Sequence, residues 1–430
     1  MNKKILIIGG VIVLILVLIG FGWFFLRSKG GGTLSNGIGG FLFPGGNTDT
    51  TPRQTTPSSN NQGDTSVSQG VNFQTEALLV KLSDAPISGF TNFNRGSSTI
   101  VRYVERATGH LYEIDTTLSQ KNRISNTTIP KVENIAWGSA GNSFILRYAK
   151  DGAIQSFSAT VSSSTGTTTN DGSLAELTGN YLDPNIGSFL FSPKFDQTFF
   201  TKTDSEGIKA WVANTKKTSQ SLVWQFGTTE WLFSWPSDDT ITATTKASNG
   251  ILGYMIEINP KTKKVTSLLS GVFGLTTLTN NKTGWVLYST ASGQDMSLNI
   301  YDQRNKTTTS LISKTLPEKC VWTQKTIRIY CAIPKDTFNS KLPDDWYKGV
   351  VSFSDSLWLY DSREGWGTDQ IADIESLAGE AIDVENPQIN ADDTLLVFMN
   401  KKDLSLWALK LDPNKQIATP GEPTATSTQP

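Results

Sequence analysis

From about residue 77 to residue 412 the chain is a succession of short apolar runs, many alternating with polar residues and broken by clusters of Gly, Ser, Thr, Asn and Asp. That pattern predicts half-buried strands joined by turns. A unit recurs seven times, in which a strand ends on an aromatic or apolar anchor, a polar turn follows, and then a strongly apolar strand. The anchors are Phe93, Trp137, Phe191, Trp235, Leu278, Trp322 and Ile389, separated by 44, 54, 44, 43, 44 and 67 residues. Four of the six spacings agree within one residue, which marks a structural repeat. The two long spacings hold visible insertions, a Ser/Thr loop at 162–173 and a stretch at 335–353. A second signal follows most anchors, an alternating strand closing on Asp or Asn: LYEID (111–115), AWVAN (210–214), MIEIN (255–259), LNIYD (298–302), LWLYD (357–361) and LWALKLD (406–412). Each unit then reads as four antiparallel strands in about 44 residues, the size of a propeller blade. A sandwich with long turns is the rival architecture. The seventh unit supplies only three strands before the chain leaves the pattern. ALLVKLS (77–83) is the available fourth, and its pairing with the last blade would close the ring and remove an open edge.

The anchor-and-turn pattern resembles that of the TolB-like and WD-repeat-like seven-bladed propellers. WPSDDTITA after Trp235 and FSPKFDQTFF after Phe191 are the nearest to that group's Trp-Ser-Pro-Asp-Gly turn. None of the seven turns carries the full motif, and Leu278 and Ile389 stand where the group has an aromatic residue. The resemblance implies a fold; it implies no single function, because the group mixes binding scaffolds with propellers attached to hydrolases. The predicted fold class is all-β, a seven-bladed β-propeller of four-stranded antiparallel blades, preceded by one transmembrane α-helix and a disordered linker.

That helix is read from residues 5–26, an uncharged apolar run that at about 1.5 Å per residue matches a hydrocarbon core. The run is longer than a signal-peptide core and ends on Trp23, Phe24, Phe25 and Leu26 before Arg27 and Lys29, so residues 1–29 read as an uncleaved single-pass anchor. A short amino tail left in the cytoplasm would put the rest outside the cell. Residues 30–76 are rich in Gly, Ser, Thr, Asn and Pro, with Asp49, Arg53 and Asp64 the charged residues as far as Gln74, and read as a disordered tether. Residues 413–430 read as a disordered tail, which leaves 77–412 as the propeller.

Composition narrows the chemistry. Lys and Arg number 38 against 39 Asp and Glu, so the balance does not advertise a nucleic-acid partner. A single histidine, His110, rules out a multi-histidine metal site, and no cofactor is expected. Cys320 and Cys331 flank one hairpin, CVWTQKTIRIYC; a turn centred on Lys325 and Thr326 would set them face to face, and a disulfide fits an exported domain. No GxSxG, GxxxxGK[ST] or HExxH motif occurs, nor a sialidase-type repeat, and no residue is assigned a catalytic role. The insertion PKDTFNSKLPDDWYKGVVSFSD (334–355) falls between the second and third strands of its blade, where propellers bind ligands. Asp344, Asp345, Trp346 and Tyr347 would place two carboxylates beside two aromatics, suited to a sugar or a peptide; a loop packed down by its own Trp is the other reading. Tyr181 and Asp183 would open onto the same face. The function expected from these features is a membrane-anchored, extracytoplasmic, non-enzymatic scaffold for a protein, peptide or envelope polymer. The alternative is a glycan- or peptide-acting enzyme using the central face of the propeller, and a third reading is a WD-type scaffold tethered from inside the cell.

Overall fold

The computed structural model describes residues 69–70, 78–138, 141–161, 177–215, 219–228, 230–336 and 339–415. Seven antiparallel sheets follow one another along the chain. Blade 1 comprises Ile87–Arg95, Ser98–Glu105, Leu111–Asp115 and Gln120–Arg123, with Gln69–Gly70 added outside. Blades 2 to 5 begin at Val132, Ile186, Trp231 and Thr276 and have four strands each. Blade 6 comprises Cys320–Trp322, Arg328–Pro334, Asp355–Asp361 and Gly367–Asp373. Blade 7 has Val384–Ile389, Leu395–Asn400 and Leu406–Lys410, and takes its fourth strand, Leu79–Ser83, from the other end of the chain. The first strands of the blades are the ones that approach their neighbours around the ring. The predicted seven-bladed architecture and the ring closure are both present, with Leu79 opposite Leu409 and Val80 opposite Ala408.

Period-two patterning explains how the ring is filled. In Leu395–Asn400 every residue is buried, because alternate side chains enter two different layers. Leu396 and Phe398 pack with Leu357, Leu359 and Tyr330 of blade 6. Leu395, Val397 and Met399 pack with Val101, Tyr103 and Ile114 of blade 1. The core is thus a set of layers between blades.

The recurring Asp or Asn at the end of the third strand has a local cause. The Asp115 carboxylate accepts from the amides of Thr117 and Leu118, Asn259 from Lys261 and Thr262, and Asp302 from Arg304 and Asn305. Each closes an Asx turn into the outer strand. Anchors also meet across blades, since the Trp322 indole donates to the Leu278 carbonyl at 3.2 Å. Asp393, in the turn after the Ile389 anchor, accepts from the Gln324 and Lys325 amides, tying blade 7 to the blade 6 hairpin, while Asp392 meets Lys325. Cys320 lies opposite Cys331 and the two form the disulfide, with Cα atoms 4.1 Å apart, so the hairpin register is the one read from the sequence.

The flanking segments require a correction. The helix expected over 5–26 lies outside the described residues, as do most of the expected tether and residues 416–430 of the tail. Among the described residues no helix is long and apolar enough to cross a membrane. The membrane-anchored, single-pass, extracytoplasmic description is corrected accordingly: the structure supports the propeller itself, and neither a membrane partner nor a placement at the cell membrane follows from it. The described start of the tail packs on blade 6, where Arg328 donates to the Pro413 carbonyl and Lys415 pairs with Asp369.

Candidate functional site

First strands begin, and second-to-third-strand connections cross, on one common face, termed here the upper face. On blades 6 and 7 this face carries a concentration of buried charge. The 3-10 turn Pro317–Lys319, started by a proline at its first position, delivers Glu318 and Lys319 just before the inner strand of blade 6. Asp355 opens the third strand of the same blade, Asp383 and Glu385 flank Val384 at the start of blade 7, and Lys401 follows that blade's second strand.

Lys319 is 1% exposed and Asp355 and Asp383 are fully buried. The ammonium lies 2.7 Å from Asp355 and bonds Asp383 and, at 3.1 Å, the Val384 carbonyl. Asp383 also accepts from the Trp346 indole at 3.0 Å and from the Phe353 amide at 3.0 Å, and Asp355 accepts from the Val384 amide at 2.7 Å. The rings of Trp346 and Phe353 sit 5.4 Å from the ammonium. Burial works against the charge on Lys319, but the two aspartates outweigh it and hold its pKa above the ordinary value. Burial pushes Asp355 up to about 6 against the pull of Lys319. The partners of this triad are internal and it joins two blades as a structural element, although Asp355 Oδ1 is buried without a hydrogen-bond partner among the described residues.

Beside it lies a second cluster with unspent hydrogen-bonding capacity. The Tyr347 hydroxyl donates to the Glu318 carboxylate. Glu385 pairs with Lys401 at 3.3 Å, and the Lys401 ammonium stands 4.3 Å over the Trp346 ring. Glu318 Oε2 and Glu385 Oε2 are both buried without a hydrogen-bond partner among the described residues. Burial raises the Glu318 carboxyl above the usual range against the Tyr347 hydrogen bond, and the Glu385 charge adds to the rise. Burial and the neighbouring Glu318 raise Tyr347 well above a free phenol.

The residues singled out in the sequence are placed unevenly. Asp344–Tyr347 is a single helical turn, but its side chains diverge. Asp344 accepts from the Ser248 hydroxyl at 2.9 Å and the Asn249 amide at 2.5 Å, both from blade 4. Asp345 accepts from the Lys341 amide at 2.8 Å. Trp346 is 2% exposed and caps the lysine cage. The insertion is thus packed down by its own tryptophan, and Tyr347 is the member that reaches the acid cluster. Tyr181 and Asp183 lie apart, between blades 2 and 3. Tyr181 is 64% exposed and accepts from the Tyr148 hydroxyl at 3.2 Å, while Asp183 is held by Lys202 at 2.8 Å and the Asn185 amide.

Glu318, Lys319, Asp355, Asp383, Glu385 and Lys401 were not singled out in the sequence. A signal existed: each stands at the upper end of a strand in adjacent blades, visible once the repeat is mapped onto blade ends. His110 lies on blade 1 with Nε2 3.2 Å from the Thr128 hydroxyl, remote from both bonded cysteines. Among the described residues no group of three or more His, Cys, Asp or Glu is placed to hold a metal ion.

No family model matches the chain, and no curated protein matches it in sequence. Solved structures share its fold. One is an oligogalacturonate lyase in complex with manganese, at 10% identity and a TM-score of 0.53, covering 81% of this chain and 96% of its own. Another, the oligogalacturonate lyase from Vibrio parahaemolyticus, has 8% identity and a TM-score of 0.51, covering 81% and 97%. Such identities carry the fold alone. The expectation of a non-enzymatic scaffold is corrected on this point, because nearly the whole of each lyase is the shared fold and a propeller of this kind can therefore be catalytic. The described residues do not assemble the donors of a manganese centre.

Proposed function

We propose that this propeller is an acid–base enzyme that cleaves glycan chains on its upper face, with Glu318 as the acid and Glu385 as its charged partner. The observation that carries this reading is the pair of half-buried carboxyls, each with an unpartnered oxygen, in contrasting surroundings. One is raised by burial beside a tyrosine; the other is paired with Lys401. Carboxyls whose environments separate their roles are the usual means of breaking a glycosidic bond, one protonating the leaving oxygen and the other serving the reacting sugar or water. Peptide chemistry has less support, because the cysteines are bonded to each other and the one histidine meets a threonine. The fold-sharing oligogalacturonate lyases act on a glycan, which agrees with this substrate class.

In the proposed reaction Glu318 gives its proton to the leaving oxygen while Glu385 takes one from the attacking water, so the two carboxyls exchange states over a turnover. Tyr347 holds Glu318 in place. Glu318→Gln is expected to lower kcat by about 10²–10⁴-fold, read as new reducing ends from an oligosaccharide panel. Because the acid must be protonated, activity should fall as pH rises through the elevated Glu318 pKa. A Glu318→Gln protein as active as the parent would remove the acid from the mechanism. An unsaturated, ultraviolet-absorbing product end would instead identify elimination.

A further inference from the structure

The insertion between the second and third strands of blade 6 lines an open-mouthed cavity of about 280 Å³. This is just below the span of ligand sites, which run from about 300 to 1,000 Å³, and is room for one ring-sized ligand. Val351 and Phe353 form apolar wall, and Asp336, Asn339, Ser352 and Ser354 bring carboxylate, amide and hydroxyl groups to the same space. Ser340 also lines it, and its hydroxyl is buried with no hydrogen-bond partner among the described residues. No cationic side chain is among the described lining residues, and nearby Lys335 is committed to Asp373 and Glu375. Such a wall suits neither an anion nor a lipid tail. An uncharged polyhydroxylated ring, with one apolar face and hydroxyls around its edge, matches it.

The cavity adjoins the buried lysine triad through Phe353 and the apolar group that holds Tyr347 through Val351. Phe353 lines it while its amide bonds Asp383 and its ring contacts the Lys319 ammonium. Val351 lines it and packs in the same apolar group as Trp346 and Tyr347. The insertion is also anchored outside its own blade: Asn249 of blade 4 donates to the Leu342 carbonyl at 2.8 Å, and Asp344 receives the Ser248 and Asn249 donors. These ties hold the insertion that lines the cavity in a set position against blade 4.

We infer that this cavity is a subsite for a neutral sugar unit of the chain being cleaved, an inference that rests on the glycan reading above. The experiment uses the full chain carrying Glu318→Gln, so that binding is read without turnover. Calorimetry is run against tetra- to hexasaccharides of glucose, of N-acetylglucosamine and of galacturonate. At least one neutral series is expected to bind, and Ser352→Trp, which places an indole from an exposed position into the cavity, should weaken it tenfold or more with an unchanged unfolding midpoint. Asn339→Ala should weaken it in the same direction. Equal affinity in the Ser352→Trp protein, or binding by the galacturonate series alone, would overturn the subsite, as would no binding by any series. If the parent chain cleaves glycans but Ser352→Trp leaves affinity untouched, the subsite fails and the enzyme reading stands. Binding that depends on Ser352, with no cleavage by the parent, gives the reverse.

Discussion

Lys319→Met is expected to destabilise the propeller by about 3–5 kcal/mol, the usual cost of stripping one partner from a buried ion cluster. Methionine keeps much of the volume but leaves Asp355 and Asp383 facing each other with no countercharge, in a site where both are fully buried. The sign of the pH dependence follows from Asp355, whose folded pKa stands at about 6, above an ordinary aspartate. The folded state therefore binds that proton more readily than the unfolded chain, and this group favours folding increasingly as pH falls from about 6 toward 4. Removing Lys319 takes away the influence that holds Asp355 down, so the defect of the variant should shrink between pH 7 and pH 5. Denaturant titrations at the two pH values test this. A loss below about 1 kcal/mol, or one independent of pH, would mean the triad is not the joint between blades 6 and 7. The combined variant Lys319→Met, Asp355→Asn, Asp383→Asn should recover part of the loss, since neutral groups need no countercharge.

Deleting residues 78–83 should abolish the single cooperative unfolding transition. The segment supplies the outer strand of blade 7, and its two buried leucines serve different layers: Leu79 joins the blade 6 side and Leu82 the blade 1 side. A register shift between Lys81 and Ser83 accompanies the change of side. Each buried leucine contributes about 1.5–3 kcal/mol, and the deletion also bares the backbone edge of Leu406–Lys410. Lys81, 5.1 Å from the Trp407 ring and paired with Glu380, covers that strand in the intact protein. A permuted chain that carries 78–83 after residue 412 should regain the transition, because pairing rather than chain order closes the ring. Retention of the parent's unfolding midpoint by the deletion would falsify the closure argument.

Both expectations depend on a distinction between what repeats and what does not. The repeat was legible because it is local. Anchors at near-constant spacing, the Asp or Asn that accepts turn amides after each third strand, and alternate burial within strands are each set by a few neighbouring residues. The Cys320–Cys331 pairing was legible for the same reason, since a short hairpin fixes its own register. Closure by residues 77–83 could be read because an incomplete seventh unit needs a fourth strand. The membrane-spanning reading came from one apolar run outside the described residues, and the described fold supplies no counterpart to it.

The candidate site was only partly legible. The 334–355 insertion marked the right region, but the side chains that looked most functional, Asp344, Asp345 and Trp346, are spent on internal contacts, and Tyr181 and Asp183 lie on other blades. Glu318 and Glu385 are 67 positions apart, and neither sits in a motif. The sequence by itself determined the number of blades, their strands, the hairpin that joins the cysteines and the segment that closes the ring, because period and turn chemistry act over short range. Only the tertiary structure decided which charges are buried together, which carboxyl is raised and which tryptophan is a cap, because desolvation and Coulomb interaction depend on what the neighbouring blade brings within a few ångströms.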